Sequence, residues 1–232
     1  MLIPKIIHQV WSGKYGPVLP KFAEFAESWK KHHPDWDYVL WDEKAMNELV
    51  EEKFPQYRKQ YEHLPFDIQR WDVIRYLILF TYGGLYADLD YQCLKPFDAI
   101  LDKQMCCMGL EPASHAQMIN KHFCIGNALM ASVSAHPFFK ELIMAVLKED
   151  LVYDRQQNPI QWIISTTGPV ILTDIWFKYA DKESIMLLND TLVAPFSKPE
   201  AMEFMMDSSH KNWQQKLEKA MAIHYFMGTW LK

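Results

Sequence analysis

Residues 66–90 read FDIQRWDVIRYLILFTYGGLYADLD. Up to Tyr82 the segment is long, largely apolar and helically spaced, which predicts a helix over 66–82. Gly83 and Gly84 then stop it, with Gly83 standing where a left-handed cap residue belongs. The LYADLD that follows alternates as a strand does, so Asp88 and Asp90 are expected on one face, about 6.6 Å apart along the chain. Two carboxylates aimed together repel each other unless they are solvated, protonated or neutralised by a cation. The stretch is thus either an ordinary turn into a polar sheet edge or a site that holds a positive charge.

Upstream, IPKIIHQVW (3–11) is rich in branched residues and bounded by SGKYGP, which predicts a buried strand. Phe22, Phe25, Ala26 and Trp29 then recur at a helical period that Pro34 stops. A second strand, WDYVLWDE (36–43), leads into a second helix, DEKAMNELVEEKF. Downstream, MCCMGL and FCIGNALMAS read as strands. HPFFKELIMAVLKED and PVILTDIWFKYA read as helices, SIMLL as a short strand and AIHYF as a last strand. No repeat or linker divides the 232 residues, so one domain over 1–232 is expected. The alternation in the first half predicts an α/β domain with a mainly parallel central sheet flanked by helices. In such folds ligands bind beyond the carboxyl ends of the strands.

The net charge of −5 supplies no basic field for nucleic acid. If the ligand is anionic, a bound divalent cation is the simplest source of positive charge. Cys93, Cys106, Cys107 and Cys124 form no C-x-x-C pair and read as small buried hydrophobes of a reducing cytosol. The start MLIPKIIHQVW lacks the parts of a signal peptide, and no apolar run approaches the ~20 residues of a membrane span. A soluble cytoplasmic protein is expected, with peripheral membrane association left open.

A D-x-D pair without nearby thiols suits a hard cation, Mg²⁺ or Mn²⁺. Asp72 and Arg75, three apart, share a face of the predicted helix. Inside an apolar helix such a pair must be satisfied. It is either a structural ion pair or a ligand grip in which Arg75 meets phosphate or a sugar hydroxyl and Asp72 accepts from sugar hydroxyls. Asn127, a polar residue in an apolar strand, reads on its own as a buried amide that satisfies backbone groups. Glycoside hydrolysis needs two carboxylates on facing elements across a scissile bond, which two acids on one strand do not provide. A Mg-dependent phosphohydrolase would carry its D-x-D on the first strand.

Taken in order, IPKIIHQVW, HPDWDYVLWDE and DVIRYLILFTYGGLYADLD, then IGNALMAS, TGP and AIHYFMGTW, resemble glycosyltransferase family 32. This is the DXD-motif sugar-nucleotide transferase group that includes capsular polysaccharide enzymes and α-mannosyltransferases. Clostridial glucosylating toxins are similar over the same motifs. The resemblance implies a GT-A type fold and metal-dependent, retaining transfer of a hexose from a UDP- or GDP-linked donor to a glycan or lipid-linked saccharide, as in surface polysaccharide synthesis at the inner membrane face. It implies Asp90 as the direct metal ligand, with Asp88 on the ribose or donor sugar or reaching the metal through water. Asp72 and Arg75 would grip the donor sugar, while Trp11 and Tyr86 would lie at the donor and Asn127 beside the reacting sugar. His224, Thr229 and Trp230 would close the metal and diphosphate side. Family members often carry two consecutive histidines where this chain has His224-Tyr225. Thr167 and Gly168 either line the acceptor side or form a turn with Pro169 at the first helical position. The alternative readings are a non-catalytic carbohydrate- or nucleotide-sugar-binding domain of the same fold and a Mg-dependent phosphohydrolase.

Overall fold

The computed structural model describes residues 1–149, 151–209 and 211–228, apart from the side chains of Lys211 and Asn212. In chain order the strands are β1 (Ile6–Val10), β2 (Asp37–Trp41), β3 (Gly84–Ala87), β4 (Tyr91–Cys93), β5 (Cys106–Leu110), β6 (Ile125–Ser132), β7 (Ile185–Leu188) and β8 (Ala222–His224). The helices are α1 (Pro20–His32), α2 (Glu43–Lys53), α3 (Arg58–Glu62), α4 (Asp67–Tyr82), α5 (Asp98–Leu101), α6 (Ala113–Met118), α7 (Pro137–Val146), α8 (Pro159–Thr166), α9 (Pro169–Lys178), α10 (Asp190–Val193), α11 (Lys198–Met206) and α12 (Lys211–Lys219).

Six strands form one sheet in the order β2-β1-β3-β6-β5-β7. β2, β1 and β3 run parallel, as do β5 and β7, and only β6 is reversed. The sheet is therefore mainly parallel, as its alternating strand–helix pattern predicts. β4 and β8 pair antiparallel in a separate ribbon. One apolar layer packs α2, α4, α7 and α9 against one face of the sheet, and a second layer around Trp29, Leu85 and Phe97 fills the other. α4 is apolar on nearly all sides because it is enclosed, with Val73 to Leu79 buried throughout. All four cysteines are buried thiols, and burial raises those of Cys93, Cys107 and Cys124 to about 12.

Three local expectations change. Gly83 has positive φ (67°), but its ψ of −156° puts it in a region open essentially to glycine alone, not in the left-handed helical region. A Cβ there would stand 2.7 Å from the backbone of Ser132 and Ser134. β3 ends at Ala87, so Asp88 and Asp90 lie in a turn between β3 and β4, closed by Tyr91 N donating to Asp88 O at 3.0 Å. Finally, α3, α6, α8, α11 and α12 occupy stretches whose sequence reading contained no helix.

Candidate active site at the carboxylate turn

The carboxyl ends of β1, β3 and β5 lie at the same edge of the sheet as the first residues of the reversed β6. They bring Trp11, Asp88, Glu111 and Asn127 to one cavity of about 340 Å³. Asp72 and Arg75 of α4, Tyr86, Asp90, His224, Phe226 and Lys198 complete its polar and aromatic lining. The β5–β6 pairing is irregular here. Met108 faces Met130, but Leu110 faces Ile125, so residue 109 alone stands opposite residues 126–129. Such bulges re-aim side chains next to functional sites, and this one turns Asn127 toward α4.

The buried pair on α4 is the centre of a network. Arg75 Nε donates to Trp71 O (3.1 Å), and Nη1 donates to Asp88 Oδ1 (2.9 Å) and Asn127 O (3.0 Å). Nη2 lies 3.2 Å from Asp72 Oδ1. The Arg75 guanidinium carbon sits 4.9 Å from the centre of the Tyr86 ring, whose hydroxyl donates to Asp88 Oδ1 at 2.6 Å. Asp72 accepts from Asn127 Nδ2 (2.8 Å) and Thr167 Oγ1 (3.0 Å). Asn127 Nδ2 also donates to Tyr76 OH at 3.1 Å, and Tyr76 donates in turn to Thr167 O. Of five guanidinium N–H donors, these contacts leave at most one for a ligand. Arg75 therefore serves first to hold Asp72, Asp88 and β6 together.

Burial dominates the electrostatics. It pushes the Asp72 carboxyl up to about 6, against the opposing pull of Arg75 and the bonds from Thr167 and Asn127. Asp88 is also raised, by burial and by the Asp90 charge, with Arg75 opposing. Asp90 moves the other way. Burial works against its charge, but the His224 charge and hydrogen bond and the Met227 N–H outweigh it and hold its carboxyl low. His224 is correspondingly raised, the Asp90 charge overcoming burial.

Asp90 Oδ2 accepts from Met227 N at 2.8 Å and Oδ1 lies 3.3 Å from His224 Nε2. The His224 ring stacks on Tyr91 at 4.3 Å and lies 3.8 Å from Phe226, and its Nδ1 is buried without a partner. One ligand atom each from Asp88, Asp90 and His224 lie within 4.8 Å of one another. Oxygen-rich with one imidazole, this donor set fits a hard divalent cation. The charge balance agrees: the lining holds four carboxylates (Asp72, Asp88, Asp90, Glu111) against Arg75, Lys198 and the raised imidazole of His224. A diphosphate would meet net repulsion there without an added cation.

The cavity thus brings together Trp11, Asp72, Arg75, Tyr86, Asp88, Asp90, Asn127 and His224, eight of the ten residues singled out from sequence. Thr229 and Trp230 lie outside the described residues. Trp11 sits at the mouth, its indole N–H on Gly16 O and its ring edge-on to Phe22. Thr167 joins the Asp72 network, while Gly168 and Pro169 start α9. Sequence reading missed Tyr15, Trp71, Glu111, Lys198 and Phe226. Trp71 directly precedes Asp72, and Tyr15 packs edge-on against it at 5.9 Å. Phe226 adopts a left-handed φ of 49° that its sequence does not announce.

The fold is that of the GT-A glycosyltransferases. The PaToxG glycosyltransferase superposes on 93% of this chain and 79% of its own, with a TM-score of 0.57 at 16% identity. Residues 20–106 match the family described as the glycosyltransferase sugar-binding region containing a DXD motif. Inositol phosphoceramide mannosyltransferase 3 of Schizosaccharomyces pombe is 33% identical over 174 residues, covering 75% of this chain and 45% of that protein. Mannosyl phosphorylinositol ceramide synthase SUR1 of Saccharomyces cerevisiae is 31% identical over 237 residues, 96% of this chain and 56% of that protein. The chain spans about half the length of the curated relatives it matches. Over residues 20–106 the chain is similar to the DXD-motif glycosyltransferases, and these relatives extend the likeness over most of its length.

Proposed function

We propose that this protein transfers a hexose, with mannose favoured by the names of its relatives, from a nucleoside diphosphate sugar to a hydroxyl of a lipid-linked or glycan acceptor. The observation that carries the reading is the convergence of Asp88, Asp90 and His224 beside the Asp72–Arg75–Asn127 network in one cavity. The relatives named for inositol phosphoceramide favour a lipid-borne acceptor over a capsule repeat. Peripheral membrane association is part of the same proposal. Among the described residues, no helix is long and apolar enough to cross a membrane.

In the reaction the bond between the anomeric carbon and the diphosphate oxygen breaks. Its electron pair stays on that oxygen, and the departing diphosphate takes the proton of the acceptor hydroxyl as the acceptor oxygen bonds to the sugar, with retention of configuration. A Mn²⁺ or Mg²⁺ held by Asp88, Asp90 and His224 would supply positive charge to the departing diphosphate. Asp72 and Asn127, locked to each other, present their remaining polar atoms to the donor sugar. Asp88 keeps Oδ2 for a ligand while Oδ1 is tied to Arg75 and Tyr86. Trp11, Tyr15 and Trp71 give one side of the cavity an aromatic lining against which the donor can pack.

The test is nucleotide release from GDP-mannose, UDP-glucose and UDP-galactose, with and without Mn²⁺ or Mg²⁺. Metal-dependent release that accelerates with an added glycan or inositol lipid is expected. Tight nucleotide-sugar binding with no release for any donor would point to the non-catalytic reading instead.

A further inference from the structure

Glu111 follows β5 directly and lines the same cavity, yet it belongs to none of the hydrogen bonds that link Asp72, Arg75, Asp88 and Asn127. Its Oε2 accepts from His115 Nδ1 at 2.8 Å, and the two side chains are only 13% and 17% exposed. Its Oε1 lies 2.7 Å from the point where a Cβ on residue 126 would stand. The carboxylate thus lies along β6 only because residue 126 is glycine. On the other side, the His115 ring meets Phe226 edge-on at 4.7 Å, and Phe226 lies between it and His224. Glu111 therefore stands in the cavity wall with His115 behind it, and Phe226 separates the His115 ring from His224.

An ion pair four residues apart is worth only about 0.3–0.5 kcal/mol on a surface. Holding α6 in place needs neither a glycine opposite the carboxylate nor a position in the cavity wall. A carboxylate is an acceptor-only group with two oxygens, suited to receiving hydrogen bonds from neighbouring hydroxyls of a sugar or polyol. The donor-side acids are already joined in their own network. We propose that Glu111 is the acceptor-side binding residue, receiving hydrogen bonds from hydroxyls of the acceptor's sugar or polyol head, and that His115 is the positioning residue that sets its carboxylate. This assignment rests on the transferase reading.

The experiment compares donor hydrolysis without acceptor to transfer onto two probes, inositol phosphoceramide in detergent micelles and methyl α-mannoside. E111Q should lower acceptor kcat/KM about tenfold or more, the scale of one charge-assisted hydrogen bond, well beyond any change in donor hydrolysis or donor KM. G126A removes no functional group, but its Cβ displaces the carboxylate and should produce the same split. It carries the test if E111Q does not fold. H115A should raise acceptor KM and H115Q, which keeps a donor, should restore part of it. Wild-type acceptor kcat/KM in E111Q and G126A overturns the assignment. So does a parallel loss of hydrolysis and transfer, which would mark a donor-side or purely structural role. If the wild-type protein releases nucleotide from no donor, the transferase reading falls, and this assignment falls with it.

Discussion

Replacing Arg75 by methionine tests the network on which the candidate site rests. The guanidinium is 4% exposed and faces two carboxylates, Asp72 and Asp88, together with the carbonyls of Trp71 and Asn127. Methionine fills much of the volume and supplies none of the donors. Breaking a buried pair by removing one partner costs about 3–5 kcal/mol, because the other partner is left buried and uncompensated. For a chain of this length each kcal/mol moves Tm by about 2–4 °C, so R75M should melt about 6–20 °C below wild type.

The loss should also depend on pH. Burial already raises the Asp72 carboxyl to about 6 with Arg75 present, and Asp88 moves the same way. Removing the guanidinium raises both further. Between the unfolded carboxylate range near pH 4 and those raised values, the folded mutant binds more protons than the unfolded chain, so its stability falls as pH rises, by up to about 1.4 kcal/mol per pH unit per proton. R75M should therefore be closer to wild type at pH 5.5 than at pH 7.5. The triple variant D72N/R75M/D88N, which removes the charges together, should recover part of the loss. Thermal or urea unfolding at the two pH values measures all of this. An R75M transition within about 3 °C of wild type at pH 7.5, with no pH dependence, would refute the reasoning.

D90A should abolish metal-dependent nucleotide release and the thermal shift produced by Mn²⁺. It should also cost about 1–3 kcal/mol of stability, because the Met227 N–H and His224 lose their partner; wild-type turnover would remove Asp90 from the metal site. His8 is held neutral by burial, its pKa lowered to about 4, with one ring nitrogen bonded to Gly83 O and the other to Trp41 Nε1. Since the folded value lies below the unfolded 6.5, its contribution is complete above about pH 6.5 and is lost as pH falls toward 4, about 3 kcal/mol in all; H8Q should flatten that part of the stability profile, and an unchanged profile would contradict the assignment. G84A places a Cβ 2.6 Å from Ile6 O at a φ of 93° and should lose more than about 4 kcal/mol; soluble G84A with wild-type urea midpoint would show that β1 and β3 can separate without cost.

Much of the β1–β3 half was legible in sequence because each signal there is local. The period of α4 and the glycine stop both act within a few residues. The acids of the D-x-D motif were legible as types and as neighbours, but their geometry was not. A strand would have aimed them together by alternation. The turn brings them together because Tyr225 N and Met227 N reach back from the far end of the chain to bond Asp90. That contact spans more than half the sequence, and nothing in LYADLD encodes it. Asn127 and Glu111 show the same limit. Each is an isolated polar residue in an apolar run, and each acquires its meaning from the β5–β6 irregularity and from Gly126, which decide where the side chains point. α8 and α11 escaped because tertiary contact, with few buried residues of their own, stabilises helices that their spacing scarcely predicts.

The charge of the cavity decides what this geometry can bind. Four carboxylates face Arg75, Lys198 and the raised imidazole of His224, and of these Arg75 is spent on Asp72 and Asp88 and His224 on Asp90. Lys198 alone cannot neutralise a diphosphate, which carries at least two negative charges at neutral pH. Asp88, raised by burial and by the Asp90 charge, shares the one Arg75 guanidinium with Asp72, while Asp90 is held low by His224. On the proposed reading, a divalent cation that arrives with the donor would offset the remaining negative charge and add what the diphosphate needs. Metal and donor should therefore bind with positive cooperativity, each strengthening the other by the same factor. Calorimetric titration of GDP or UDP with and without Mn²⁺ measures that factor, and a value near one would mean that the carboxylate turn serves some other purpose.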